Sequence, residues 1–438
     1  MRNYPSIGIQ VPDILLPRKG IDLNKWAVIA CDQFTSQPKY WVNVKNIVGN
    51  VPSTYHLILP EAYLGKPEEK EQTEKIAIYM QKYLIDGTLI QEEGMVYIKR
   101  KIGGKVRRGL LLALDLDQYN YNKGSKSLIR STEGTILERL PPRIRIREKA
   151  VIELPHILVL IDDQNNEVFK PLIQGEKKLS KIYDFELMLD SGQIQGYLVN
   201  NSKIEAQIVQ AFKNLANPET FAEKYDVDRT TPVLLFAVGD GNHSLATAKA
   251  VWEKMKPKAA INHPARYALV EIVNIHDEGL IFEPIHRLLF NTTTDILPSL
   301  MDYFGNRIEY RKYNRIEEVK RQVKHQTSKI HEFGIFQSGS QGTIQIKNPK
   351  TNIAVGTLQP FLDNLLKSGK ADSIDYIHGD NTLLNLSKQG RNIGFYLPPM
   401  EKNDLFNCTH ERATLPRKTF SMGEAKGKRF YLECREIR

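Results

Sequence analysis

The stretch Pro232–Glu253, PVLLFAVGDGNHSLATAKAVWE, carries the strongest structural signal in the chain. It opens with an apolar run of strand length, and Ser244–Met255 then has the spacing of an amphipathic helix. Between the two, Gly239 and Gly241 flank Asp240, which permits a tight turn and a close approach of another molecule to the backbone. The stretch therefore predicts a buried strand that turns directly into a helix.

The start of this helix is a candidate anion site. Asn242 and Ser244 are both residue types that cap helices, and the first amides of a helix attract anions together with the positive end of its dipole. His243 lies at the same place, where an imidazole can donate a hydrogen bond to a phosphate. Asp240 is a residue type that holds Mg²⁺ or accepts a proton from a hydroxyl group. A purely structural turn, whose polar side chains bond nearby backbone, stays open as the alternative.

Strand-like and helix-like segments alternate in the rest of the chain, which predicts an α+β fold with mixed sheets. The predicted strands are Trp26–Cys31, Ile157–Ile161, Tyr267–Ile275, a hairpin over Met95–Leu116 that turns at Gly103-Gly104, and two short strands within Thr343–Leu358; the predicted helices are Pro67–Tyr83, 201–224 and Ile316–His325. Joins rich in Gly, Asn and Lys predict three regions, 1–125, 126–290 with the GDGNHS box, and 291–438.

Composition bounds the class of protein. The 438 residues are 41% hydrophobic and 26% charged, as in a soluble globular protein. The net charge of +10 favours anionic partners such as nucleotides, phosphorylated metabolites or nucleic acid. No apolar run approaches the roughly 18–20 residues of a membrane span, residues 1–20 lack a secretory pattern, and three sparse cysteines suit a reducing compartment. We therefore expect a cytoplasmic protein without a membrane partner; its oligomeric state is not determined by the sequence.

Basic residues cluster on the predicted hairpin: Lys99, Arg100, Lys101, Lys105, Arg107 and Arg108. One interpretation is a solvated hairpin end that resists aggregation. The other is a ribbon that faces phosphate groups.

Four segments resemble, in order, the mostly bacterial family named domain of unknown function 1015. The segment 130–135 (RSTEGT) is similar to its "HE-x-T" block, and Asp240–Ala246 is similar to its GDGHHR-type box. Asn274–Leu288 matches the block "D-x-GL-x-x-x-P-x-HR", and Leu415–Phe430 is similar to the C-terminal signature. The GDGHHR box itself is similar to the phosphate-binding motif of the ParB/sulfiredoxin-like superfamily. The resemblance implies a ParB/sulfiredoxin-like core with embellishments at both ends.

Two positions depart from the family pattern. Ser244 stands where the box usually has Arg, and Thr132 stands where the earlier block usually has His. The loss of Arg removes a planar fork suited to bidentate phosphate binding. Either Arg139, Arg143 or Arg287 substitutes for it, or the site of this chain is weakened or altered.

The resemblance implies a nucleotide phosphate held at the helix start. It favours a nucleotide-dependent phosphotransferase or nucleotide hydrolase that uses ATP, ADP or CTP with Mg²⁺ and acts on a small hydroxylated acceptor. In this interpretation Asp240 holds the metal or acts as a base. The predicted phosphate-binding residues are Gly239, Gly241, Asn242, His243, Ser244, Arg143 and Arg287.

Further residues fit this function, each with a structural alternative. Glu133 is a candidate base or a salt-bridged structural residue. His286 and Arg287 are candidates for a second anion clamp, although a buried His bonded to backbone is as common. Asp32 follows a predicted strand, where ligands often bind in α/β sheets, and Lys418 either closes the site or is surface charge.

Two other functions remain open. A ParB-like nucleic-acid-binding protein is compatible with the positive charge, although no basic helix-turn-helix is evident. A non-catalytic nucleotide-binding or metabolite-binding protein is compatible with the departures at Ser244 and Thr132.

Overall fold

A computed structural model describes residues 2–35, 37–122, 124–134, 140–324, 327, 329–407 and 415–438, with residue 68 described by its backbone alone. Its α-helices are α1 (Leu23–Trp26), α2 (Pro38–Val48), α3 (Glu68–Ile85), α4 (Leu140–Arg147), α5 (Lys170–Gly175), α6 (Ser202–Leu215), α7 (Pro218–Tyr225), α8 (Asn242–Met255), α9 (Ile296–Phe304), α10 (Ile316–Val323), α11 (Ala354–Lys367) and α12 (Asp380–Ser387). Within those ranges no helix is long and apolar enough to cross a membrane.

The strands are β1 (Arg2–Tyr4), β2 (Ile9–Val11), β3 (Asp13–Pro17), β4 (Val28–Ile29), β5 (Leu89–Glu93), β6 (Met95–Ile102), β7 (Lys105–Asp115), β8 (Tyr119–Asn120), β9 (Ile129–Ser131), β10 (Ile152–Glu153), β11 (Leu158–Ile161), β12 (Ser180–Glu186), β13 (Gln193–Val199), β14 (Phe236–Asp240), β15 (Tyr267–Asn274), β16 (Phe282–Phe290), β17 (Ile308–Lys312), β18 (Ile330–Gln337), β19 (Ser340–Lys347), β20 (Ser373–His378), β21 (Ile393–Tyr396), β22 (Phe420–Met422), β23 (Phe430–Tyr431) and β24 (Arg435–Glu436).

The chain divides into two compact units. The first contains residues 1–280 and 423–438, and the second contains 281–422. The sequence instead suggested boundaries near 125 and 290. The N-terminal hairpin and the segment after residue 126 share one sheet, because β7 pairs with β15 with Leu114 opposite Ala268. The first two predicted regions are therefore parts of one unit, to which the C-terminal residues also return.

A mixed sheet forms the centre of the first unit. Its strand order is β12-β13-β6-β7-β15-β11-β14-β9-β8, with β2 added on β7 and β1 on β2. Most pairs are antiparallel, but three are parallel: β11 with β15, β14 with β9, and β9 with β8. Helices and mixed sheets confirm the predicted α+β fold class.

Strand β7 shows why this sheet is buried on both faces. Its run Gly109–Leu114 (GLLLAL) is continuously apolar, as expected where both faces of a strand are covered. Leu110, Leu112 and Leu114 pack in one hydrophobic cluster, and Leu111 packs in another. The predicted turn at Gly103-Gly104 is present, with φ angles of +55° and +79°, which glycine adopts without steric cost.

Two of the six basic residues of the hairpin serve the interior of the first unit, whereas Lys101 and Lys105 are exposed. Arg100 is buried and donates to the carbonyls of Ser191 and Lys426. Arg107 is buried and donates to the carbonyl of Gly427 at 3.0 Å. These contacts hold the hairpin against residues 426–427, so the two arginines have a structural role.

A second mixed arrangement of strands and helices makes up residues 281–422. Its sheet has the order β17-β19-β18-β21-β16-β20, with β22 on β16.

The sequence predicted two strands within Thr343–Leu358, and the second of them is wrong. Only β19 is a strand, and Ala354 begins helix α11. Leu358, Phe361, Leu362 and Leu365 are buried at helical spacing, a period that the strand interpretation missed.

The predicted strand Trp26–Cys31 is also only partly a strand. Trp26 ends α1, and the strand is restricted to β4. Asp22 caps α1 by accepting from the amide of Asn24 at 3.1 Å. Strand β4 pairs with β23, with Ile29 opposite Phe430. This pairing brings the residues after β4 close to the C-terminal segment of the chain.

The first unit contains an acid-sensitive cluster around Asp162. Its carboxylate accepts from Tyr225 at 2.6 Å and pairs with Lys224 and His276, each at 2.7 Å. Burial raises the pKa of Asp162, but the bonds from His276, Lys224 and Tyr225 outweigh it and lower the pKa from 3.8 to about 2. A carboxyl with a depressed folded pKa stabilises the fold above its unfolded pKa, and that contribution is lost as pH falls through the folded value.

We therefore expect Asp162→Asn to lower the free energy of unfolding by about 2 kcal/mol at pH 6. The difference from wild type should shrink as pH falls from about 4 to about 2. Urea unfolding across this range, followed by circular dichroism, measures it. The exposed Asp190, replaced by Asn, is the control. A difference that does not change with pH would contradict this explanation.

Candidate functional site

The junction between β14 and α8 has the predicted form of a buried strand followed by a helix. Strand β14 lies between β11 and β9 in the sheet, and Phe236 and Val238 are fully buried. Gly241 has φ +78° and precedes the helix. A Cβ at Gly241 would lie 3.0 Å from the Cα of Ile157. Both the backbone conformation and the close approach thus require glycine here.

The helix start is fixed by its own backbone and by the neighbouring strand. The amides of Ser244 and Leu245 donate to the carbonyl of Gly241 at 2.9 and 3.0 Å. Because β9 runs parallel to β14, it brings Ser131 beside the turn, where the hydroxyl donates to Asn242 Oδ1. Leu245 is fully buried, so the helix is anchored and its first turn is held in place.

Thr132 has a structural role in this arrangement. Its hydroxyl donates to the carbonyl of Val238 at 2.6 Å, and the residue is fully buried. It therefore ties the end of β9 to β14, just before the Gly239–Gly241 turn.

Lys428 forms an ion pair with the turn. Its Nζ lies 3.1 Å from Asp240 Oδ2, and the lysine is buried. The other carboxylate oxygen of Asp240 accepts from the amide of Gly241 at 3.0 Å. The sequence singled out Asp240 as a metal ligand or base, whereas its described contacts are an ammonium and an amide.

For the described residues, a magnesium ion at Asp240 stays a prediction. Among them, no group of three or more His, Cys, Asp or Glu side chains is arranged to hold a metal. Mg²⁺ is usually bound by one or two carboxylates together with substrate phosphates and water, and the described side-chain partner of Asp240 is Lys428. We therefore assign no step to a protein-bound metal.

A chain of hydrogen bonds runs from the helix start to Cys31. Ser244 Oγ lies 3.0 Å from His156 Nε2, and His156 Nδ1 lies 2.7 Å from the hydroxyl of Tyr431. That hydroxyl also lies 3.2 Å from Cys31 Sγ. Burial raises the pKa of the Cys31 thiol to about 12, so the group remains a thiol and is a poor nucleophile at neutral pH.

Two carboxyl groups near this chain have pKa values shifted in opposite directions. Burial tends to raise the pKa of Asp32, but His156, Gln33 and Lys428 outweigh it, and the pKa is lowered. Burial raises the pKa of Glu61 despite its ion pair with Arg143, and the charge of Asp32 adds to the rise. Two carboxyl groups whose pKa values are shifted in opposite directions are typical of acid and base pairs in active sites.

The structure brings most of the predicted residues of the first unit to one region. The turn Gly239–Ser244 includes His243, which is half-buried as the second residue of α8. The charges of His156 and Lys428, which contact Ser244 and Asp240 of the turn, also lower the pKa of Asp32. Glu133 is half-buried two residues after β9. Arg143 lies on α4 in its ion pair with Glu61.

Three predicted residues lie in the second unit instead. His286 is fully buried, with Nδ1 accepting from the amide of Leu397 at 3.1 Å and Nε2 near Asp380. Arg287 is fully buried and donates to Gln359, to the carbonyl of Ile285 and to that of Arg417. Lys418 is exposed. We do not retain these residues in the candidate site. Arg139 lies outside the described residues.

Sequence reasoning missed Lys428, His156, Tyr431 and Glu61. Lys428 stands inside the C-terminal segment that resembles the family signature, which was the one available signal. His156 and Glu61 lie in segments without a recognisable motif. They reach the site through the pairing of β11 with β14 and of β4 with β23.

The chain belongs to the family described as "Protein of unknown function (DUF1015)", whose model matches residues 15–365. This confirms the resemblance noted in the sequence; the assignment to the ParB/sulfiredoxin-like superfamily stays a prediction. No curated protein matches the chain.

Solved structures similar to the chain have a sequence identity to it of about 10%. A free serine kinase in complex with AMP is 10% identical, with a TM-score of 0.37, and covers 76% of this chain and 92% of its own. A conserved hypothetical protein from Pyrococcus furiosus is 11% identical, with a TM-score of 0.34 and coverages of 75% and 92%. SbnI from Staphylococcus aureus, truncated at its C-terminus, is 11% identical, with a TM-score of 0.35 and coverages of 74% and 82%.

Proposed function

We infer that the first unit binds the phosphate groups of a nucleotide at the start of α8 and transfers a phosphoryl group to a small hydroxylated acceptor or to water. The observation that carries this proposal is the convergence of the α8 start with Lys428 and Asp32, which come from three distant parts of the sequence. Helix amides and an ammonium attract phosphate, and an ionised carboxylate accepts a proton from a hydroxyl.

Phosphate binding is supported by the two cationic elements of the turn. The first turn of α8 supplies amides and the positive end of the dipole of a 14-residue helix. Lys428 supplies an ammonium group whose described partner is Asp240, and because it is buried its interaction with an anion is screened less than at an exposed site. His243 is the further donor that the sequence indicated.

The proposed transfer is an in-line displacement at the terminal phosphorus. The acceptor oxygen forms the new P–O bond, and the old P–O bond breaks with its electron pair leaving on the shortened nucleotide. The proton of the acceptor hydroxyl goes to Asp32, whose lowered pKa keeps it ionised at neutral pH. Positioning and charge neutralisation account for most of this chemistry.

Isothermal titration with ATP, ADP and CTP, with and without Mg²⁺, tests the binding step. We expect Lys428→Met to weaken binding of the preferred nucleotide about 10-fold to 100-fold, the equivalent of about 1.4–2.7 kcal/mol. The matched control is Lys426→Met, two positions away and exposed. Equal affinities in the two variants, or no nucleotide binding by the wild-type chain, would overturn the proposal.

Turnover separates the enzyme from a non-catalytic binding protein. A phosphorus NMR assay of the nucleotide that binds, with a mixture of small hydroxylated acceptors, should show a shortened nucleotide and a new phosphoryl product or inorganic phosphate. Tight binding without either product would instead indicate a non-catalytic nucleotide-binding protein.

A further inference from the structure

A cavity of about 170 Å³ lies in the first unit beside the start of α8. Ser244 and Thr247 line it from the helix, and Tyr431 and Cys31 line it from the two segments that β4 and β23 bring together. The cavity therefore adjoins the proposed phosphate site and shares Ser244 and His156 with it.

Most of the cavity wall is apolar. Its aliphatic side chains come from the segment before α3, from α3 and α4, and from β10 and β15. They include Leu57, Leu59, Met80, Ile146, Ile152 and Leu269. An apolar wall of this kind favours an apolar ligand, because water gains little there from hydrogen bonding.

The charged side chains of the wall are already paired with one another. Arg143 pairs with Glu61, and Arg147 pairs with Glu153 at 2.6 Å. Glu153 also accepts from Arg435 at 2.8 Å. A charged ligand would have to break one of these pairs and leave a buried charge without its partner, which is costly. The wall thus favours an uncharged ligand.

The Ser244–His156 pair provides a polar, hydrogen-bonding site in this otherwise mostly apolar wall. A serine hydroxyl has one donor and two acceptor positions, and its contact with His156 Nε2 at 3.0 Å uses one of them. A ligand hydroxyl placed here would join an existing hydrogen-bond chain. It would also be directed to the side of the cavity where the proposed phosphate site lies.

We propose that this cavity binds the apolar body of the acceptor, an uncharged aromatic or branched aliphatic alcohol whose hydroxyl bonds Ser244. An apolar cavity of about 150 Å³ holds benzene, so about 170 Å³ accommodates an alcohol of about six to eight non-hydrogen atoms. This identification of the substrate class rests on the proposed function, whereas binding of the alcohol itself does not require it.

Titration of the full chain with benzyl alcohol tests the proposal, with glycerol and free serine as polar comparators. We expect benzyl alcohol to bind at least 10-fold more tightly than either comparator. Ala150 lines the cavity, so Ala150→Leu should fill it and weaken benzyl alcohol binding at least 10-fold. Ala260→Leu, at an exposed position, is the matched control and should bind as wild type.

The hydroxyl contact has a test of its own. Ser244→Ala should weaken benzyl alcohol about 2-fold to 10-fold, as expected for one hydrogen bond, and leave toluene binding unchanged. Unfolding curves of all variants establish that each is folded. If Ala150→Leu is unfolded, crystals of the wild type soaked with benzyl alcohol locate the probe directly, and a probe outside the cavity overturns the proposal.

Failure of this inference is distinguishable from failure of the proposed function. Nucleotide binding without any preference for benzyl alcohol would overturn the substrate class alone. Benzyl alcohol binding without nucleotide binding would overturn the proposed function and keep the alcohol site. If adenosine, which lacks phosphate, displaces benzyl alcohol competitively, the cavity holds the nucleobase and the acceptor assignment is wrong.

Discussion

Replacement of Arg429 by methionine is expected to lower the free energy of unfolding by about 3–5 kcal/mol. Arg429 is almost completely buried and pairs with Glu271 and with Glu433, the latter at 2.5 Å. Its Nε donates to the carbonyl of Pro155 at 3.0 Å. The variant leaves two buried carboxylates without their common cation, and an uncompensated buried charge costs far more than a lost surface pair.

Urea unfolding followed by circular dichroism measures this loss. Arg18→Met, at an exposed position, is the control and should stay within about 0.5 kcal/mol of wild type. Adding Glu271→Gln to the Arg429 variant should recover part of the loss, because it removes one of the two carboxylates that had been paired with Arg429. A loss below about 1 kcal/mol for Arg429→Met would show that water or relaxation compensates these carboxylates.

Replacement of Asp32 by asparagine is expected to reduce phosphoryl transfer about 10²-fold to 10⁴-fold. Asparagine keeps the size of the side chain but does not accept the proton of the acceptor hydroxyl. Nucleotide affinity should fall much less than the rate, because Lys428 and the start of α8 are unchanged. Steady-state turnover together with isothermal titration separates the two effects, with the exposed Asp190→Asn as the matched control.

The pH dependence of turnover gives an independent readout for Asp32. Its pKa is lowered from 3.8 because His156, Gln33 and Lys428 outweigh the effect of burial. The ionised form is the reactive one, so protonation of Asp32 should not reduce the rate until pH falls below about 4. A wild-type rate in Asp32→Asn would remove Asp32 from the mechanism and leave only phosphate binding at α8.

Local sequence patterns predicted the parts of the fold that depend on neighbouring residues. The apolar run before Gly239 and the helical spacing after Ser244 located β14 and α8, because both signals come from contiguous residues. Gly103-Gly104 located a turn for the same reason. The error at Ala354 arose where β-branched residues precede a helix and the helical period was not recognised.

The candidate site was harder to predict from the sequence, because its charged residues come from distant segments of the chain. Lys428 reaches Asp240 only because the C-terminal residues return to the first unit and β23 pairs with β4. No local pattern encodes that pairing. Arg287 is an example of the opposite error. It belongs to a motif that matches the family pattern, but it is fully buried and hydrogen-bonded within its own unit. Burial and pairing decide which charges are available to a ligand, and both are properties of the folded chain.

A crystal structure of the full chain grown with the nucleotide that binds most tightly tests the central claim most directly. The claim predicts phosphate oxygens about 3 Å from the amides of the first turn of α8 and from Lys428 Nζ. Phosphate density elsewhere on the chain, with Lys428 still paired only to Asp240, would contradict it.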